Sequence, residues 1–189
     1  SDHFLYTNNA QKILRKLGVK YEYPFFTKPN KKRLYDVNLR IRTTGYNQKF
    51  VERHRKKLLK EIDPGFNTTP ADTVSKKEYL NELTNSKIVI SPFGNGALCY
   101  RDFEAIIAGA TLIKPDVSHL ETWPDIYEEN KTYVPVSWDF EDINEKVNDL
   151  LENEGKRKEI AQNAQDKYRE YYGTNGIKKL KKRFRKLIN

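Results

Sequence analysis

Apolar and polar positions along this chain switch repeatedly between two periods. From Tyr35 to Thr43 (YDVNLRIRT) they alternate in twos, as in a strand with one buried face, and Gly45 then turns the chain into a charged helix expected over about Asn47–Ile62. Asp63 to Pro70 reads as a loop rich in Pro, Gly, Asn and Thr. Ser75-Lys76-Lys77-Glu78 has the spacing of a capping box and predicts a helix over Lys76–Leu83. The run Lys87–Asp116 then gives an apolar strand (Lys87–Ser91), a Gly94-Asn95-Gly96 turn, a short helix carrying Arg101 and Glu104, a Gly109-Ala110 break and a second apolar strand. Val117–Asn130 is irregular, Thr132–Val136 is expected as a strand, and Asp139–Leu151 as an amphipathic helix. Gly155 is expected to separate a helix over Lys156–Tyr172, and Gly173 with Gly176 to separate a last, basic helix.

Upstream, Phe4–Phe26 reads as a short strand, a helix over about Asn8–Leu17 and a β-prone run Val19–Phe26. Thr27–Leu34, with Pro29 and four basic residues, reads as a linker. Strands alternating with helices predict an α/β domain, a Rossmann-like parallel sheet with helices on both faces. The division expected is 1–34 as an extension or remnant of a preceding domain plus linker, 35–172 as the α/β domain, and 173–189 as a basic C-terminal helix. Ligands of such sheets bind outside the carboxyl ends of the strands, where Arg42–Gly45 and Pro92–Gly96 would both lie.

Composition narrows the classes. A chain of 189 residues suits one domain with a short extension; 37% hydrophobic and 32% charged residues describe a folded protein with a very polar surface. The net charge of +9 implies an anionic partner, and seven Lys or Arg residues between Lys178 and Lys186 supply much of the excess. A lone Cys99 excludes an intrachain disulfide and a multi-cysteine metal site. No stretch is long and apolar enough to span a bilayer, and the N-terminus lacks the pattern of a signal peptide. The expected setting is cytoplasmic, with membrane association through 177–188 as an additional expectation: Ile177, Leu180, Phe184, Leu187 and Ile188 recur at helical spacing beneath a basic face. That stripe equally suits packing on the domain.

The order of a strand, an SPFGNG turn, an RDFEAIIAG helix, a TLIKPD strand, a TYVPVSWDFEDI turn into a helix, and a KRKEIAQNAQDKY helix resembles the C-terminal, donor-binding half of GT-B glycosyltransferases of the group 1 set. The resemblance covers roughly Tyr35–Tyr172. It implies a nucleotide diphosphate sugar as donor substrate with no further cofactor and no metal, and a glycan, lipid or protein hydroxyl as acceptor. In that family the residue matching Glu104 hydrogen-bonds the ribose hydroxyls, a diol that a carboxylate can accept from twice. Gly94, Asn95 and Gly96 match the turn that approaches the donor, and Arg101 and Arg42 match residues that meet the diphosphate. Asp72-Thr73-Val74-Ser75 occupies the place of the loop that meets the nucleobase, with Val74 its candidate contact. Ala97 stands where a second family glutamate, seven residues before Glu104, would touch the transferred sugar. The N-terminal acceptor-binding half, the usual source of the catalytic base in inverting members, has only a short counterpart before Tyr35, so the expectation is a fragment or domain of a longer enzyme with an acceptor-binding domain elsewhere, or an unusually reduced relative. The catalytic residue is therefore left unassigned.

Other readings stand beside these. Arg101 and Glu104, three residues apart, would also serve as a solvated helix pair, and Arg42 as a strand-end charge. Cys99, Phe103, Ile106 and Ala110 fit one apolar helix stripe. His54, within a run of Arg and Lys, is expected at the surface, and His119 in a loop on the ligand side. Trp123 and Trp138 suit packing or stacking on a sugar. No Asp-X-Asp triplet is present, which argues against metal-dependent GT-A chemistry. A noncatalytic nucleotide-binding scaffold and a basic nucleic-acid-binding domain are the alternative functions, although the twelve tyrosines follow no recognisable nucleic-acid motif.

Overall fold

The computed structural model describes residues 26–171 and 173–188. The strand and helix expected before Phe26 lie outside them. Among the described residues, four parallel strands, β1 (Tyr35–Asn38), β2 (Ser86–Ile90), β3 (Thr111–Pro115) and β4 (Val134–Val136), form one sheet in sequential order. The register places Val37 beside Ile88, Val89 beside Leu112, and Ile113 beside Val134. Pro135, which has no N–H to give, sits on the edge strand β4.

Helices α1 (Lys49–Glu61) and α2 (Lys76–Thr84) set the topology around β1. After α1 the chain returns beside β1 at Thr68, which bridges Val37 in parallel, and Thr69 donates its N–H to the Val37 carbonyl at 3.1 Å. It then passes through α2 to β2 on the other side of β1. Travel along the sheet reverses here, and right-handed crossovers therefore place α1 and α2 on opposite faces. The core confirms this. Ile88, Ile90 and Ile113 pack with Leu58 of α1 and with Ile62 at its C-cap, whereas the intervening Val89 and Leu112 pack with Leu83 of α2 and with Ala105 and Ala108 of α3 (Tyr100–Ala108). The expected two-faced, Rossmann-like sheet is the one observed.

Three further helices follow among the described residues: α4 (Ile143–Glu152), α5 (Glu154–Tyr171) and α6 (Gly173–Ile188). Local signals place most boundaries well. The Ser75 hydroxyl accepts from the Glu78 N–H at 3.2 Å, so α2 starts where its capping box predicts. Helix α4 starts later than expected, because Asp142 is drawn back to accept from the Ser137 N–H at 2.9 Å and Phe140 takes a positive φ. Gly155 and Gly176 lie inside helices, whereas Gly173 opens the last one.

The expected linker 27–34 is fastened to the domain. Thr27 donates its N–H to the Ile107 carbonyl at 2.9 Å, and the Arg33 guanidinium gathers the carbonyls of Ser86 (2.9 Å), Ala108 (2.9 Å) and Gly109 (2.6 Å). Burial and the nearby Arg157 lower the Arg33 pKa to about 10. Gly109 ends α3 at φ 65, and a Cβ there would stand 2.2 Å from the Thr27 carbonyl, so both conformation and space demand glycine.

Candidate functional site

The connection leaving β1 goes to α1 on one face and the connection leaving β2 goes to α3 on the other. Their divergence opens a crevice at the carboxyl ends of these strands. Its floor is built from basic side chains that bond to main-chain carbonyls, since strand ends leave acceptors without ladder partners.

Arg101, in the first turn of α3, is the central brace. Its Nε–H donates to the Ile90 carbonyl at 2.8 Å. One terminal nitrogen donates to the Arg40 carbonyl (3.1 Å) and the Tyr79 hydroxyl (3.4 Å), the other to the carbonyl (2.9 Å) and side-chain oxygen (2.6 Å) of Asn38. A guanidinium has five N–H groups, and these five acceptors use all of them. Arg101 therefore ties β1 to β2 and has no donor left for a diphosphate in this arrangement. Nor does it pair with Glu104 as an exposed helix couple. Tyr79 stands between them, donating its hydroxyl to Glu104 Oε2 at 2.7 Å, with its own ionisation pushed up by burial. Glu104 Oε1 makes no hydrogen bond among the described residues, so one carboxylate oxygen is held and the other is open.

Arg55 of α1 braces the next stretch. It donates to the Phe93 carbonyl at 2.7 Å and the Arg42 carbonyl at 3.1 Å, while stacking on the Tyr46 ring at 4.7 Å. The loop after β1 is thereby held against the turn after β2. Arg42 itself is exposed and forms no ion pair among the described residues. Its guanidinium lies over Gly45, whose φ of 78 and lack of Cβ leave that space free. Of the expected turn, Asn95 and Gly96 are exposed; a Cβ at Gly96 would meet no described residue within 4 Å, whereas one at Gly94 would stand 3.1 Å from Cys99 Sγ. Close packing thus explains Gly94 but not Gly96.

The turn rests on a buried polar cluster outside the residues expected to form the site. Lys114 of β3 and Asp102 of α3 are both fully enclosed, with Nζ and Oδ2 3.1 Å apart. Lys114 also donates to the Ala97 carbonyl at 2.6 Å, and Asp102 accepts from the Cys99 N–H (3.1 Å), the Tyr127 hydroxyl (2.7 Å) and the Ser91 hydroxyl. Burial and the Asp102 charge both push the Tyr127 phenol up, keeping it a hydrogen-bond donor. A lysine closing an otherwise apolar strand was the available clue, because a charge on a strand buried on both faces must find a partner. Cys99 is the N-cap of α3 rather than part of its apolar stripe, and burial raises its thiol pKa.

Around the remaining rim, Arg40 forms a bidentate pair with Glu82, both bonds at 2.7 Å, and reaches Asp72 Oδ1 at 2.5 Å. That contact secures the segment 72–75, in which Val74 is half-buried. The Glu82 hydrogen bonds raise the Arg40 pKa. His54 departs from its expected surface position. It lies with Val51, Arg55 and Leu58 on the buried stripe of α1, its Nε2 donating to the Trp138 carbonyl at 2.9 Å and its ring enclosed by Phe50, Phe93 and Phe140. The spacing 51, 54, 55 and 58 was the overlooked signal. Burial lowers the His54 pKa, and its Nδ1 is enclosed with no partner among the described residues, as suits a neutral ring. His119 is exposed on the same rim, 5.5 Å between centroids from the half-exposed Trp138, whose indole N–H donates to the Asp116 carbonyl at 3.0 Å. Trp123 lies away from the rim against Tyr171. Among the described residues no three His, Cys, Asp or Glu side chains converge.

Residues 15–176 match the family model described as "Glycosyl transferase-like". No curated protein matches the chain. Among solved structures, TarM aligns over 94% of this chain and 42% of its own at 16% identity, with a TM-score of 0.57. The C-terminal domain of a glycosyl transferase group 1 family protein (LpcC) from Francisella tularensis aligns over 61% of this chain and 59% of its own, at 18% identity and a TM-score of 0.41. The chain thus spans about half the length of the structures it resembles, and the likeness to TarM is one of fold.

Proposed function

Since the chain belongs to the glycosyl transferase-like family, we propose that its crevice holds a nucleotide diphosphate sugar and serves transfer of that sugar to a hydroxyl of a glycan, lipid or protein, without a metal ion. The observation that carries this reading is the half-committed Glu104 carboxylate, fixed on one side by Tyr79 and without a hydrogen bond on the other among the described residues. An oriented acceptor of this kind suits the two hydroxyls of a ribose. Val74, in the segment tied down by Arg40 and Asp72, is proposed to border the nucleobase.

The diphosphate is assigned to Arg42 and to the turn Gly94-Asn95-Gly96 leading into α3, where an exposed guanidinium and the start of a helix favour an anion. Arg101 is a positioning residue in this scheme: it holds the ends of β1 and β2 at the separation the donor requires. As the sugar leaves, negative charge grows on the nucleoside diphosphate, and Arg42 with the turn amides would stabilise it.

The test is a thermal-shift panel of nucleoside diphosphates and nucleotide sugars. A ligand at a hundred times its Kd should add about 2.7 kcal/mol of stability. Glu104→Ala is expected to remove that shift while leaving the unliganded melting temperature close to that of the parent. A chain that none of these ligands stabilises would rule the donor-site reading out.

A further inference from the structure

Helix α6 is mounted with its apolar side outward. In a helix that belongs to a domain surface, the apolar stripe normally faces the core and the charges face water. Here two cations are seated on the protein. Lys179 pairs with Glu170 at 2.9 Å and lies 5.0 Å over the Tyr171 ring, and Arg183 pairs with Glu121 and lies 5.4 Å over the Trp123 ring. Lys179 and Arg183 are four residues apart and so share one face. Anchoring that face turns the other toward solvent, where Ile177, Leu180, Phe184 and Ile188 are 56%, 46%, 61% and 69% exposed.

We infer that this outward stripe is a docking surface for an anionic lipid bilayer, lying in the interface with Ile177, Leu180, Phe184 and Ile188 inserted among the acyl chains. Charge selects this occupant over a second copy of the chain. Between Gly173 and Ile188 there are seven Lys or Arg residues and no acidic one. Two such helices packed stripe to stripe would bring like charges together along both flanks, which is unfavourable. An anionic surface meets the same flanks with attraction, and long cationic side chains such as Lys181 and Arg185 can keep their heads at the headgroups while their stems lie on the apolar boundary. No helix among the described residues is long and apolar enough to cross a membrane, so the contact is peripheral. It brings the domain to a lipid surface independently of any nucleotide.

Co-sedimentation with extruded vesicles tests this. The full chain should sediment with vesicles of phosphatidylcholine containing one-third phosphatidylglycerol and remain in solution with phosphatidylcholine alone. Binding should weaken as salt rises from about 0.05 M to about 0.5 M. The double substitution Leu180→Glu with Phe184→Glu, whose side chains are already exposed, should keep the circular dichroism spectrum and thermal unfolding of the parent and weaken vesicle binding by about tenfold or more. Failure of the parent to bind anionic vesicles at low salt would overturn the inference. So would unchanged binding by the double variant, or a stable parent dimer that the same substitutions dissociate.

Discussion

At the crevice, Arg101, Arg55, Arg40 and Lys114 turn inward and direct their N–H groups at carbonyl oxygens and carboxylates. On α6, Lys178, Lys181, Lys182, Arg185 and Lys186 turn to water. Both sets are cationic, and net charge counts them alike, yet they do different work. The first set solves a problem created by a parallel sheet, whose strand ends expose acceptors that the ladder no longer serves. The second set has no such obligation and confers an electrostatic preference on a surface. The difference teaches that a basic composition reports on partners only after the buried cations have been subtracted.

The largest expected effect falls on the crevice set. Lys114→Ala would leave Asp102 enclosed without its cation and should cost about 3–5 kcal/mol of stability in urea unfolding. A loss under about 1 kcal/mol would mean that this charge is structurally no different from those of α6. Arg101→Ala comes next. It leaves the carbonyls of Ile90, Asn38 and Arg40 without their donor and is expected to cost about 1–3 kcal/mol, together with weakened nucleotide binding. Glu104→Ala, by contrast, should weaken binding alone, and equal destabilisation by both variants would erase the distinction between a positioning residue and a ligand contact.

His54 supplies a smaller, pH-dependent contrast. Burial holds its pKa below the ordinary histidine value of about 6.5, so the native state binds fewer protons than the unfolded one. Its contribution is complete above about pH 6.5 and is lost as the pH falls through the depressed native value. Melting temperatures measured from neutral pH downward should therefore fall, and His54→Phe should flatten that fall. The smallest effect belongs to α6. Arg183→Ala removes a partly solvated pair with Glu121 and should change stability by less than about 1 kcal/mol.

Legibility from the chain varies by element for physical reasons. The start of α2 was readable because Ser75 and Glu78 make a local contact, and β2 and β3 because apolar runs between turn signals have few other uses. The start of α4 was not, since Asp142 bonds back to Ser137 before the helix begins. Gly94, Asn95, Gly96 and Glu104 are expected at the donor because their βαβ unit resembles that of the family. The role expected of Arg101 at the diphosphate depended on which acceptors stood near it, and those come from residues about sixty positions away.

Hydrophobic periodicity and turn chemistry, which act over a few residues, determined the alternation of strands and helices, the two-faced sheet and the crevice at its carboxyl ends. Tertiary structure alone decided which partners meet the enclosed cations and His54, and that α6 turns its apolar stripe outward. Each of these depends on partners brought together by the sheet: Asp102 for Lys114, Trp138 for His54, and Glu121 for Arg183. A side chain's type is local, but whether it must be satisfied inside the protein or is free to meet a ligand or a surface follows from what the fold packs against it.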